Sequence, residues 1–158
     1  VWEAPGYEVP FIELTRSESI ERPFREYHSS LDSPSLMDAS KMNETFEVLK
    51  KTVDILECNS VMHRKFNGLI CLSNPAFDLY MERPDPTVDK PISKDSEKWG
   101  HLLDCLFRYF DGQTTILEIA ARHDLPFDAL YRYLCKFEDK GLIDISFSEM
   151  SRPKATRV

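Results

Sequence analysis

The 158-residue sequence predicts a mixed α/β fold built from separate parts. Before residue 60, one short apolar strand pattern is followed by a long amphipathic helical pattern. After residue 96, three shorter helical patterns follow, each with its own start and stop signals. The stretch between them is rich in proline and charge, which is typical of a linker. We therefore predict an α/β segment at 1–60, a connector at 61–96, a mainly α domain at 97–150 and a tail at 151–158.

Composition excludes several classes of protein. With 42% hydrophobic residues the chain can bury a core, so global disorder is not expected. The net charge of −7 argues against a dedicated nucleic-acid-binding protein, which usually carries a basic surface. No apolar run approaches the roughly 20 residues of a membrane-spanning helix. The four cysteines form no CxxC pair, and reduced thiols suit the cytoplasm, so we expect a cytoplasmic protein without a membrane partner.

The first segment contains a strand, a loop and a helix in that order. The sequence Val9–Ile12 predicts a short strand at a sheet edge, because Pro10 cannot donate a ladder hydrogen bond. A polar loop over 17–34 follows, and Asp38 is the predicted N-cap of the helix. Apolar residues then recur at helical spacing, at Met42, Phe46, Leu49, Val53 and Leu56. One strand and one amphipathic helix cannot bury each other's apolar faces, so this segment is expected to lack packing partners.

The second segment predicts three helices and a terminal strand. The first helix carries apolar residues from Trp99 to Phe110 and stops at Asp111-Gly112. The second opens with a capping box, Thr115 to Glu118, in which side chains satisfy otherwise unpaired N–H groups. The third has Phe127, Leu130, Leu134 and Phe137 on one face, ends at Lys140-Gly141, and is followed by the strand pattern LIDISF.

That order of elements predicts a winged helix-turn-helix domain. In this fold the third helix would enter a DNA major groove. Residues 101–148, however, contain five basic and eight acidic residues, and contacts to phosphate supply most of the non-specific affinity for DNA. We therefore expect a packing or protein-interaction role for this domain and do not expect nucleic-acid binding.

The stretch FREYHSSLDSP contains the residue types of a metal site. An imidazole on a loop beyond a strand, such as that of His28, can bind zinc when a neighbouring group orients its other nitrogen. Asp32 is placed to do this or to brace the loop, and the Tyr27 hydroxyl can donate to a developing oxyanion. On the residues alone, the simpler interpretation is that His28 is an ordinary loop residue, because one histidine is not a metal signature.

The motif YHSSLDSPSLMD, followed by an amphipathic helix, resembles the end of the co-catalytic dizinc aminopeptidase family. The motifs GYEVPFIELTR, EYHSSLDSP, GLICLSNPAFDLY and DGQTTILEIAARHDLPFDALYRYLCKFEDKGLI resemble, in order, a bacterial branch of aminopeptidase-like proteins with a C-terminal winged helix. The resemblance implies that residues 1–60 hold the last strand, loop and helix of the peptidase-like domain. The chain would then be the C-terminal part of a longer protein.

The resemblance also implies roles for individual residues. His28 matches the final zinc-binding histidine, Tyr27 matches a tyrosine that steadies the tetrahedral intermediate, and Asp32 matches a supporting aspartate; Ser29 replaces the usual threonine. The remaining ligands of the two zinc ions and the general-base glutamate would belong to the preceding part of the longer protein, so this chain alone is not expected to be active. The expected partners are the rest of the peptidase domain and a peptide or other amide substrate.

A second function stays open. The acidic balance and the many aromatic residues also suit a non-enzymatic protein-interaction or oligomerisation module, which would associate with other copies of the chain or with other proteins.

Overall fold

The fold is of the mixed α/β class. The computed structural model describes residues 3–4, 7–8, 14–17, 24–80 and 94–148. Compact packing divides the chain into two units, residues 1–51 and 52–158, which are described separately below. The described residues form five strands and four α-helices: β1 Glu3–Ala4, β2 Tyr7–Glu8, α1 Ala39–Cys58, β3 Ser60–Arg64, α2 Lys94–Cys105, β4 Asp111–Thr115, α3 Ile116–His123, α4 Phe127–Asp139 and β5 Ile143–Phe147.

The first unit contains a small hairpin and most of α1. Strands β1 and β2 pair antiparallel, while the strand predicted at Val9–Ile12 lies outside the described residues. The predicted N-cap of α1 is confirmed, because Asp38 Oδ1 accepts the backbone N–H groups of Ser40 at 2.9 Å and Lys41 at 3.2 Å. These bonds satisfy amides that the first helical turn leaves unpaired.

Helix α1 has an apolar face that is about half exposed in the described part of the chain. None of its 20 residues is buried. Phe46 is 63% exposed and Val53 is 54% exposed, although both belong to the predicted apolar stripe. Each fully buried apolar side chain of this size stabilises a fold by about 1.5–3 kcal/mol. The exposed apolar side chains of α1 contribute only part of this stabilisation.

The second unit is organised around a three-stranded antiparallel sheet in the order β4-β3-β5. Its central strand is Ser60–Arg64, and residues 61–64 of this strand lie in the stretch that the sequence predicted to be a connector, so no strand was expected there. Strand β4 was also not predicted; it occupies Asp111–Thr115, which was expected only to end one helix and cap the next. Both strands are short, and their hydrogen-bond partners are distant in sequence, so local propensity carries little signal for them.

Asn59 links the start of β3 to two later elements. Its side chain is buried, and Oδ1 accepts the backbone N–H of Leu117 in the first turn of α3 at 3.1 Å. Its carbonyl oxygen accepts the N–H of Ser148, just after β5, at 3.2 Å. Because this buried side chain accepts a hydrogen bond from an N–H group at the start of α3, it fixes the register at which β3 enters the sheet.

The three predicted helices of the second unit are confirmed. The predicted end of the first helix at Asp111-Gly112 is wrong, because α2 ends at Cys105, a 3₁₀ helix follows at Leu106–Tyr109, and Asp111-Gly112 lies in β4. Thr115 and Glu118 form the reciprocal capping box at the start of α3. Gly141 follows α4 with a φ of 67°, as expected for a residue just past a helix end. The core consists of side chains from both sheet and helices, and the largest fully buried ones are Met62, Leu102, Leu106, Ile116, Ile119, Leu130, Leu134, Phe137 and Ile143.

The second half of the described connector packs on this core. Leu79 is buried, and its carbonyl oxygen accepts a hydrogen bond from the Tyr133 hydroxyl at 2.7 Å. Burial raises the pKa of that hydroxyl. Asn74 begins a turn in which the N–H of Phe77 donates to the Asn74 carbonyl at 2.9 Å. Residues 66–80 are therefore part of the second unit rather than a free linker.

Carboxylates satisfy backbone amides on both outer strands of the sheet. On β5, the N–H of Ile145 donates to Glu138 Oε1 at 2.9 Å. On β4, Asp111 Oδ1 accepts the N–H groups of Gln113 and Thr114, each at 2.8 Å. The bond from Thr114 is the main cause of a lowered pKa at Asp111. Acidic side chains at these positions discourage pairing with a further strand.

We expect alanine substitutions at three glycines to separate backbone strain from steric contact. Gly100 lies inside α2 with open space around it, so Gly100→Ala should stabilise the fold by up to about 1 kcal/mol. Gly141 has open space but a positive φ, so Gly141→Ala should cost about 1–2 kcal/mol. At Gly112 (φ 72°) a Cβ atom would lie 2.5 Å from the His63 ring. Chemical denaturation should therefore rank Gly112→Ala as the most destabilising.

The His63 ring makes the contact at Gly112 testable by itself. Its Nε2 atom lies 3.0 Å from Ser146 Oγ, a hydrogen bond that would break if the ring moved aside. In a His63→Ala background, Gly112→Ala should cost no more than Gly141→Ala does in the unmodified chain. An unchanged cost in that background would contradict the steric explanation.

Candidate functional site

The predicted metal-site loop is a series of tight turns that immediately precedes α1. The N–H of Tyr27 donates to the Phe24 carbonyl at 3.2 Å, and the N–H of Ser29 donates to the Glu26 carbonyl at 3.1 Å. The N–H of Asp32 then donates to the Ser29 carbonyl at 3.2 Å. Because each turn supplies its own backbone hydrogen bond, local contacts help to hold the shape of the loop.

Tyr27 and His28 form an aromatic stack on this loop. Their ring centroids are 4.0 Å apart with an interplanar angle of 18°. The Phe24 ring meets Tyr27 edge-on at 5.4 Å. Tyr27 is 47% exposed and His28 is exposed. The loop thus presents a phenol and an imidazole side by side at the surface of the first unit.

His28 has an unusual backbone conformation. Its φ of 58° lies in the left-handed region, which few non-glycine residues adopt. Holding a residue in this region costs of order 1–3 kcal/mol of conformational free energy, and such residues are concentrated at functional sites. Within the described part of the chain, the His28 ring has no hydrogen-bond partner.

Ser29 stabilises the turn through its hydroxyl group. Ser29 Oγ donates to the Glu26 carbonyl at 2.7 Å and accepts from the N–H of Leu31 at 3.2 Å. A threonine hydroxyl can make the same two bonds. Serine and threonine are therefore interchangeable for these two local hydrogen bonds.

Asp32 lies on the wall of an open groove of about 650 Å³ in the first unit. Neither Tyr27 nor His28 lines this groove. Among the described residues, no hydrogen bond joins the Asp32 carboxylate to His28, so its predicted role in supporting His28 stays a prediction. The groove combines apolar and charged side chains, contributed by Arg16, Phe24, Glu26, Asp32, Ser33, Leu36, Met37, Asp38, Lys41, Met42, Thr45, Phe46 and Leu49.

Arg16 is a positioning residue that the sequence patterns did not reveal. Its guanidinium forms an ion pair with Glu44 and donates from Nη1 to the Lys41 carbonyl of α1 at 3.0 Å. These contacts span 25 or more residues, so no local motif could have predicted them. Arg16 therefore attaches the described segment before the loop to the first half of α1.

The other histidines belong to the second unit. His63 contacts Ser146 across the sheet. His123 is half-buried, with Nε2 lying 2.9 Å from the Tyr109 hydroxyl. Burial is the main cause of its lowered pKa. The cap at this helix end is Asp124, which has a φ of 51°.

The described residues contain no group of three or more His, Cys, Asp or Glu side chains placed to hold a metal ion. None of the helices in the described part has the length and apolar character that crossing a bilayer requires.

Comparison with known proteins identifies one family similarity. Residues 1–59 match a family described as a domain of unknown function (DUF4910), and this region is less than half of the 158-residue chain. No curated protein and no solved structure matches the chain. The matched region ends one residue after α1 and contains the whole Tyr27-His28 loop.

Proposed function

We propose that this chain is the C-terminal part of a zinc-dependent aminopeptidase-like hydrolase, in which it contributes one zinc ligand and an accessory winged helix. The observation that carries the proposal is the Tyr27-His28 stack, held on a tight turn directly before a helix whose apolar face is uncovered. The first feature is chemically suited to hydrolysis, and the second indicates a missing packing partner.

His28 would be the zinc ligand. A neutral imidazole is a common ligand of catalytic zinc, and the exposed His28 ring has no competing hydrogen bond among the described residues. The bound metal would supply an activated water molecule for amide hydrolysis. The other ligands would come from the preceding part of the longer protein, because the described residues contain no complete metal cluster.

Tyr27 would act on the reacting carbonyl. The Tyr27 ring lies beside His28, because the centroids of the two stacked rings are 4.0 Å apart. A phenolic O–H near the metal can donate a hydrogen bond to the oxyanion of the tetrahedral intermediate. The edge-on contact with Phe24 restricts the direction in which the Tyr27 ring can tilt.

The preceding part of the same domain would cover the apolar face of α1. This face is wider than a two-residue coiled-coil seam, because Val48, 49% exposed, lies beside the stripe that contains Phe46 and Leu49. A wide apolar face suits packing on a sheet, and layered α/β folds bury helices in this way. The family match over residues 1–59 supports treating the loop and α1 together as one piece of such a domain.

We also propose that the second unit is a modified winged helix. Helices α3 and α4 are joined by the three residues 124–126, as in a helix-turn-helix. The departure is that β3, which precedes all three helices in the chain, supplies the central strand between β4 and β5.

The basic residues on and directly after α4 favour an accessory role over DNA binding. Arg132 is paired with Asp128 at 3.0 Å, and Lys140 donates to the Ala76 carbonyl at 3.2 Å. Both side chains therefore have partners inside the unit. Few basic groups remain on this helix for phosphate contacts, on which DNA affinity depends.

The proposal is tested by replacing His28 in the longer protein. His28→Ala should lower the bound zinc from two ions to one per chain and reduce aminopeptidase activity, because a catalytic metal loses one of its few protein ligands. Metal analysis and hydrolysis of aminoacyl substrates provide the measurements. His101→Ala is a matched control, since His101 is also exposed but lies on α2. Unchanged zinc content and activity in His28→Ala would overturn the assignment.

A second function is favoured by the same exposed face of α1. If the chain is an oligomerisation module, this face would pack against a second copy, and light scattering after size-exclusion chromatography should give a dimer. Phe46→Glu should then produce a monomer, whereas Glu47→Lys, on the opposite polar side of the helix, should not. A chain that is monomeric without substitution would argue against this second function.

A further inference from the structure

We draw no further inference here: the strongest candidate, the exposed apolar face of α1 with the groove beside it, belongs to the proposals already made, and nothing in the described part of the chain shows what else covers it.

Discussion

Phe137→Ala is expected to destabilise the second unit by about 3–5 kcal/mol, the usual cost of removing a buried phenylalanine ring. Phe137 is fully buried. Its ring packs edge-on against Phe110 at 5.6 Å and against Tyr133 at 5.3 Å. The substitution therefore removes both the transfer free energy of the ring and two aromatic contacts, and it leaves a cavity at the centre of the core.

Chemical denaturation followed by circular dichroism measures this loss. Phe147→Ala is the matched control, because Phe147 is the same residue type in the same unit but is 61% exposed. Its replacement should change the free energy of unfolding by less than about 1 kcal/mol. Similar losses for the two variants would contradict the assignment of Phe137 to the core.

In the longer protein, Tyr27→Phe is expected to lower kcat by about 10²–10³-fold, the usual effect of removing one oxyanion donor. This expectation depends on the proposed function. The phenylalanine ring preserves the stack with His28 and the edge contact with Phe24, so zinc content and KM should remain close to their original values. A loss confined to kcat is the signature of an interaction made only in the transition state.

Tyr80→Phe provides the control for this measurement. Tyr80 is 48% exposed, nearly the same as Tyr27, but it belongs to the second unit. If Tyr27→Phe leaves kcat unchanged while His28→Ala loses a zinc ion, the proposed metal site would be supported and the proposed catalytic role of Tyr27 would be refuted. Unchanged zinc content and unchanged activity in both variants would refute the proposed function itself.

The features that the sequence predicted correctly are those with local causes. Asp38 bonds to amides two and three residues away, and Thr115 and Glu118 bond to each other within one helical turn. The apolar residues of α3 and of α4 recur at helical spacing, so the burial of each apolar face follows from a pattern within one element. Such contacts join residues that are close in sequence, so they can be predicted without the rest of the fold.

The candidate site was predictable only in part. The sequence alone placed Tyr27 and His28 next to each other on a loop before a helix. The stacking of their rings, the positive φ of His28 and the position of Asp32 on a separate groove depend on how successive turns fold. Turn geometry of this kind follows from hydrogen bonds between residues with weak conformational preferences, so residue type does not determine it.

The sequence by itself determined that four helices form, that Asp38 and Thr115 are the N-caps of α1 and α3, and that the Tyr27-His28 loop precedes α1. Only the tertiary structure decided that residues 60–64 form the central strand, because Met62 and its neighbours pair with strands that begin about 50 and 80 residues later. It also decided that Leu79 joins the core, through a hydrogen bond from Tyr133 that spans 54 residues. Pairings over such distances gain their free energy from burial and from shared backbone bonds, and no short window of sequence contains both partners.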